Sequence, residues 1–112
     1  MYTQKDADFL QEYIREHYAL PLTTDHLSRL LHICKTQLFA LCKEYFSQSP
    51  LQLVIRRRLE VARELLVSTD DPISQIARLS GFGDAHYFCK AFKRFYQLSP
   101  TAYRQSHHQP PI

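Results

Sequence analysis

The side chains best suited to chemistry lie on one side of a predicted helix that begins near Asp84. Phe88 and Phe92 recur at a four-residue spacing and are expected to face the core. Four residues are then expected on the outward side: Ala85, His86, Cys89 and Lys90. His86 and Lys90 are also four residues apart, so both can point into one groove. Lysine donates to guanine O6 and N7 or to phosphate, and histidine donates or accepts at a base edge. The spacing therefore fits recognition of nucleic-acid bases, and ordinary exposed polar side chains are the alternative interpretation. Asp84 is expected to cap the helix.

A second predicted helix, around Leu38 and Leu41, has an outward side with less hydrogen-bonding capacity. Its outward residues are Lys35, Thr36, Phe39 and Ala40. Lys35 and Thr36 stand at the helix start, where contact with a groove is expected. Phe39 fits contact with a thymine methyl group and packing within the protein equally well, and the sequence leaves both interpretations open. We expect this helix to read fewer bases, mostly through backbone contacts.

Cations that flank these helices are candidates for contacts with a phosphate backbone. They are Lys43, Arg56, Arg57, Lys93 and Arg94. Backbone N–H groups at helix starts would add further donors. Arg56 also has Glu60 four residues later, so an ion pair on a solvated helix face is the alternative interpretation.

The charge distribution points to a polyanionic partner. The net charge is +3. Residues 1–32 carry five acidic and three basic groups, whereas residues 33–112 carry six acidic and eleven basic groups. A positive region beside an acidic N-terminal end is typical of proteins that bind polyanions, although a solvated helix face has the same composition.

Other chemistry has little support in the sequence. The hydrolase pattern G-x-S-x-G and the zinc-protease pattern H-E-x-x-H are missing, and two glycines are too few for a Gly-rich phosphate loop. The cysteines Cys34, Cys42 and Cys89 lack the spacing of zinc ligands. We therefore expect no enzymatic activity, no cofactor and no metal. The odd cysteine count and the lack of a secretion signal or a long apolar run favour a cytoplasmic protein without a membrane partner.

The elements that must position these side chains repeat at an offset of about fifty residues. At an offset of fifty, three residues of the first copy recur in the second: Lys43, Ser49 and Pro50 become Lys93, Ser99 and Pro100. Upstream the offset is forty-nine, which matches Leu27 with Ile76 and Leu30 with Leu79. Each copy has a short helix, a break of three or four residues and a longer helix, which is a helix-turn-helix unit.

The fold class that follows is all-α, with two helix-turn-helix subdomains joined by a long linker helix and about seven helices in total. The divisions are residues 1–50 for the first subdomain, 51–69 for the linker helix, 70–105 for the second subdomain and 106–112 for a mobile tail that includes His107 and His108. The tail carries no core-forming pattern.

The long linker helix suits a protein that contacts DNA twice. One α-helix fits the major groove of B-DNA, which is about 12 Å wide, and paired units are spaced by one helical turn, about 34 Å. A linker of about 17 residues is about 26 Å long. We therefore expect the longer helix of each unit, here called the reading helix, to lie on the same side of the molecule and to enter adjacent major grooves.

Eleven residues of the second unit follow a recognisable pattern: Ile76, Ala77, Gly81, Phe82, Tyr87, Phe88, Phe92, Lys93, Pro100, Tyr103 and Arg104. They fit I-A-x-x-x-G-F followed by Y-F-x-x-x-F-K-x-x-x-G-x-x-P-x-x-Y-R. Arg58 and Ala62 fit the linker pattern R-x-x-x-A. On these residues the chain, from about Leu22 to Arg104, strongly resembles the DNA-binding domain of AraC/XylS bacterial transcription regulators.

The resemblance implies sequence-specific binding of double-stranded DNA and regulation of transcription, activation included. It places base readers at the outward positions named above, and it implies that Arg58 is a structural bridge between the units. It also implies RNA polymerase as a partner and a separate sensory or dimerisation domain. The abrupt start just before the first helix favours a fragment of a longer protein over a short stand-alone regulator.

The chain departs from the family pattern at several positions. The glycine before the S-x-P turn is Ser47 in the first copy and Gln97 in the second, and the first turn has His32 and Cys34 where the family often has Gly and Ser. The core Phe of the first reading helix is replaced by Cys42. We expect looser helix ends and a smaller core contact there. The alternative function is a helical protein-interaction module without sequence-specific DNA binding.

Overall fold

The computed structural model describes residues 1–107, and this part of the chain contains seven α-helices. They are α1 (Gln4–His17), α2 (Thr24–Leu31), α3 (Lys35–Phe46), α4 (Pro50–Ser68), α5 (Ile73–Leu79), α6 (Ala85–Tyr96) and α7 (Pro100–His107). The predicted all-α fold is confirmed. Among these helices none combines the length and the apolar character that crossing a bilayer requires. The chain divides into two compact units, the first from Met1 to Arg57 and the second from Arg58 onward, so α4 contributes residues to both.

The first unit packs α1, α2, α3 and the first part of α4 around one apolar core. Its buried residues are Ala7, Leu10, Ile14, Leu22, Leu27, Leu31, Leu38, Leu41, Cys42 and Val54. Their three- and four-residue spacing matches the helical pitch, so each helix turns one apolar stripe inward. Thr23 caps α2, because its side-chain oxygen accepts a hydrogen bond from the backbone N–H of His26 at 3.1 Å.

The second unit has a more aromatic core. Its buried apolar residues are Leu59, Val61, Ala62, Leu66, Ile76, Ala77, Phe82, Phe88 and Phe92. The Phe88 and Phe92 rings are 5.7 Å apart between centroids, and the Tyr103 ring meets Phe92 edge-on at 5.5 Å. These rings fix α6 against α7, which positions the second reading helix.

Arg104 on α7 ties together the end of α4 and the start of α5. Its Nε donates to the Leu66 carbonyl at 3.2 Å, its Nη1 to the Asp71 carbonyl at 2.7 Å and its Nη2 to the Thr69 carbonyl at 3.1 Å. Carbonyls at a helix end have no partner within the helix, so one planar guanidinium satisfies three acceptors at once.

The repeat seen in the sequence extends to unusual backbone conformations. His32 and Gly81 match at the offset of forty-nine and both have positive φ, 57° and 100°. Ser47 and Gln97 match at the offset of fifty and also have positive φ, 57° and 67°. A left-handed residue therefore follows each of these helices, directly after α2, α3 and α6 and one residue after the right-handed cap Ser80 in α5, although only Gly81 is a glycine.

Two predicted boundaries differ from the structure. α4 has 19 residues, Pro50–Ser68, and so begins and ends one residue before the predicted linker helix, residues 51–69. α7 continues to His107, whereas the mobile tail was expected to start at residue 106. The helix continues because the His107 ring stacks on Tyr103 at 4.1 Å between centroids, and its Nδ1 lies 3.0 Å from the Tyr103 carbonyl oxygen. The rest of the predicted tail, with His108, lies outside the described residues.

Candidate nucleic-acid interface

The second reading helix, α6, presents an exposed pair of hydrogen-bonding side chains above a sealed core. Asp84 caps the helix, and its Oδ1 accepts a hydrogen bond from the backbone N–H of His86 at 2.9 Å. Phe88 and Phe92 are both 0% exposed. His86 and Lys90 are exposed. The helix therefore holds both side chains outward on a rigid support.

Two of the predicted outward positions of α6 lie closer to the core than expected. Ala85 and Cys89 are half-buried. The reason is helical spacing, because Ala85 precedes Phe88 by three residues and Cys89 precedes Phe92 by three. Residues three apart share a helix face, so both flank the core side. Burial also raises the pKa of the Cys89 thiol, which disfavours the reactive thiolate.

The last turn of α6 adds uncompensated positive charge. Lys93 and Arg94 are exposed. α6 contains no acidic residue, and among residues 1–107 no carboxylate lies within 4.0 Å of the cationic atoms of Lys90, Lys93 or Arg94. This helix therefore offers three cations to an anionic ligand.

The first reading helix, α3, is exposed in the expected places but is poorer in donors. Thr36, Phe39 and Ala40 are exposed, and 47% of the Phe39 surface is accessible. Cys34 is its N-cap and makes no side-chain capping bond. Apart from Lys35, the outward face of α3 thus presents one hydroxyl, one ring and one methyl group where α6 presents His86 and Lys90.

Lys35, the cation at the start of α3, is paired within the protein. Its Nζ lies 2.7 Å from Oδ1 of Asp25 in the first turn of α2. The Lys35 ammonium, by its hydrogen bond and its charge, holds the pKa of the Asp25 carboxyl below its usual value. The sequence gives no sign of this ion pair, because an acidic residue in the first turn of α2 is already explained by its favourable interaction with the helix dipole.

Lys43 lies beside an open recess next to the outward face of α3. The recess has a volume of about 280 Å³ and is lined by Phe39, Lys43, Ser47, Gln48, Ser49 and Gln52. At its edge α4 begins with a reciprocal cap, since the Gln52 N–H donates to Ser49 Oγ at 3.2 Å and the Ser49 N–H donates to Gln52 Oε1 at 2.8 Å. Lys43 itself is exposed.

The three arginines in the middle of α4 have different surroundings. Arg56 is exposed. The Arg57 Nε donates to the Arg15 carbonyl at 3.3 Å, and its guanidinium lies 5.5 Å from the centroid of the Tyr18 ring. Arg58 is half-buried, and burial lowers the pKa of its guanidinium. Of the three, only Arg56 is exposed to solvent, while Arg57 is engaged by α1.

The three cysteines are unpaired, with Cys34 exposed, Cys42 buried and Cys89 half-buried. Within residues 1–107 no three or more His, Cys, Asp or Glu side chains come together as a set that could hold a metal ion.

Relatives among curated proteins are transcription regulators. The family model described as a helix-turn-helix domain matches residues 27–106. The chain is 35% identical over 95 residues to a probable transcriptional regulator, LumQ, from Photobacterium leiognathi, an alignment that covers 85% of this chain and 38% of LumQ. The chain spans about a third of the length of the curated relatives it matches.

Solved structures share the fold over nearly the whole chain. The C-terminal domain of AraT, a response regulator from Geobacillus stearothermophilus, is similar with a TM-score of 0.90 at 30% identity, covering 96% of this chain and 89% of that chain. The DNA-binding domain of AdpA, solved in complex with a target DNA, has the same fold, with a TM-score of 0.84 at 22% identity over 88% of this chain and 89% of that chain. From the matched family model and these relatives, the chain belongs to the helix-turn-helix domain family of AraC-type transcription regulators.

Proposed function

We propose that this chain is the DNA-binding part of a longer bacterial transcription regulator, and that it binds duplex DNA with α3 and α6 in adjacent major grooves. The observation that carries the proposal is the outward face of α6, where exposed His86 and Lys90 stand on a sealed aromatic core and the helix contains no acidic residue after its Asp84 cap. A rigid helix that presents donors in a positive field is suited to base edges in a major groove.

The proposed base contacts are unequal between the two reading helices. On α6, Lys90 donates to guanine or phosphate and His86 contacts a base edge, while half-buried Ala85 and Cys89 can offer the groove only a methyl group and a thiol. On α3 the proposed base-reading positions are Lys35, Thr36, Phe39 and Ala40. These side chains can form fewer hydrogen bonds with bases. We therefore propose that α3 mainly orients the protein on the duplex and reads little of its sequence.

The proposed phosphate contacts are the exposed cations Lys43, Arg56, Lys93 and Arg94. Arg57 stays a predicted fifth contact and is not counted with these four, because it is half-buried and its guanidinium also contacts the Arg15 carbonyl and the Tyr18 ring. These contacts fix the position of the chain on the duplex without reading its sequence.

The rest of the regulator is proposed from the family and from chain length. The chain spans about a third of its curated relatives, so a sensory or dimerisation domain completes the protein. Contact with RNA polymerase and activation of transcription are proposed from the resemblance to the family. A cytoplasmic location is proposed because bacterial DNA lies in the cytoplasm. The role is one of binding and not of catalysis.

Salt dependence of duplex binding tests the proposal against a protein-interaction module. Each neutralised phosphate contributes about −0.9 to the slope of log K against log salt, so four phosphate contacts predict a slope of about −3.6. Lys93→Ala should make the slope shallower by about one unit. The control Lys5→Ala removes an exposed cation on α1 and should leave the slope unchanged. Weak binding that does not change with salt would contradict the proposal and favour the protein-interaction module.

A further inference from the structure

An ion pair occupies the start of the first reading helix. Lys35 is the first residue of α3, and its Nζ lies 2.7 Å from Oδ1 of Asp25. The two side chains are 58% and 62% exposed, so the pair lies at the surface. The N-terminal residues of a reading helix are the ones that reach base edges. The ion pair therefore lies at the N-terminal end of α3, where the proposed function needs a cation that can bind DNA.

The ion pair compensates the charge of Lys35 at neutral pH. The hydrogen bond from Lys35 and its positive charge lower the pKa of the Asp25 carboxyl, and Arg29 adds a smaller effect in the same direction. Asp25 is therefore ionised wherever DNA binding would be measured. A phosphate that approaches Lys35 meets a carboxylate next to it, which competes for the ammonium and repels the phosphate.

The second unit has no counterpart of this pair. At the offsets of the repeat, Asp25 corresponds to Ser74 and Lys35 corresponds to Ala85. Ser74 is exposed and uncharged. The cations of α6 lie further along the helix, and within residues 1–107 none of them has a carboxylate within 4.0 Å. At the position where the first unit has the Asp25 carboxylate, the second unit therefore has a hydroxyl. The carboxylate at the start of α6 is Asp84, which caps the helix by accepting from the His86 backbone N–H and, among the described residues, pairs with none of the α6 cations.

We propose that Asp25 determines how strongly the first unit binds DNA: it holds Lys35 in an ion pair and so directs the sequence preference of the chain toward the second unit. This inference rests on the proposed function, because it assumes that α3 enters a groove. Asp25 is a positioning residue that acts through Lys35, and its removal strengthens binding where removal of a structural residue would weaken it.

The test uses the 112-residue chain and duplexes that the wild-type chain selects from a random pool. Asp25→Asn should raise affinity about 3- to 10-fold at about 0.1 M salt and make the slope of log K against log salt steeper by about one unit. A repeated selection with this variant should also show stronger base preference in the weaker half-site. Asp25→Ser, which introduces the residue of the second copy, is the second variant and guards against loss of folding.

A double-mutant cycle with Lys35→Met separates the ion pair from simple repulsion. The gain on Asp25→Asn should fall to the small part that comes from direct repulsion in the Lys35→Met background, whereas the control Glu16→Gln removes an exposed acid of α1 and should change affinity little. An unchanged affinity in Asp25→Asn and Asp25→Ser, or an equal gain with and without Lys35, overturns the inference while wild-type duplex binding keeps the proposed function intact. Failure of the wild-type chain to bind any duplex overturns both.

Discussion

The two reading helices have the same length and the same place in the repeat, yet their outward chemistry differs. α3 and α6 each have 12 residues, and each follows a turn with a left-handed residue. α6 exposes His86 and Lys90 and ends in two further cations. α3 exposes Phe39 and Ala40, and its first cation is held by Asp25. One scaffold, used twice, therefore supports one donor-rich surface and one donor-poor surface.

The cores beneath these helices differ in the same direction. Cys42 and Phe92 occupy matching positions, and both are 0% exposed. Phe92 contacts the Phe88, Tyr96 and Tyr103 rings at centroid distances of 5.7, 4.6 and 5.5 Å. Burial raises the pKa of the Cys42 thiol to about 11, so Cys42 packs as a small neutral side chain. α6, the reading helix with more hydrogen-bonding side chains, therefore also packs on the more extensive aromatic core.

The largest expected effect contrasts these two core positions. Phe92→Ala should lower the free energy of unfolding by about 3–5 kcal/mol, because it leaves a cavity at the centre of the ring cluster. Cys42→Ala removes one sulfur atom and should cost about 1 kcal/mol. Urea denaturation followed by circular dichroism measures both. Equal costs would show that the aromatic cluster does not give the second unit extra stability.

Arg104 provides the next contrast, since its partner in the repeat is buried Val54. Arg104→Ala should cost about 2–3 kcal/mol, because three carbonyls at the end of α4 and the start of α5 lose a charged donor. Arg104→Lys should recover only part of this loss, as an ammonium lacks the planar fork that reaches all three. Full recovery in the same urea experiment would show that charge matters and geometry does not.

The smallest expected effect concerns the left-handed caps. His32→Gly should stabilise the chain by about 0.5–1 kcal/mol, because glycine adopts positive φ without the steric penalty of a side chain. Gly81→Ala, at the matching position of the second unit, should destabilise it by a similar or larger amount. The midpoint of thermal unfolding reports both, and a loss of stability in His32→Gly would mean that its side chain contributes more than its strained backbone costs.

Local patterns predicted much of this molecule. The helices, the Asp84 cap and the repeat follow from spacing and capping preferences between residues close in sequence. Spacing and capping preferences do not predict which side chains of separate helices contact each other. Asp25 and Lys35 are ten residues apart on different helices, and Arg57 lies 42 residues from the Arg15 carbonyl to which it donates. Such pairs depend on how helices pack, which periodicity does not specify.

The most direct test of the account compares two double variants in a selection from random duplexes. His86→Ala with Lys90→Ala should lower affinity for the wild-type site by about 10- to 100-fold and remove base preference in the stronger half-site alone. Lys35→Ala with Thr36→Ala should lower affinity by no more than about 3-fold, because Lys35 is already paired with Asp25. An even loss of preference across both half-sites, or a larger loss from the α3 variant, would contradict the claim that the second reading helix carries most of the sequence recognition.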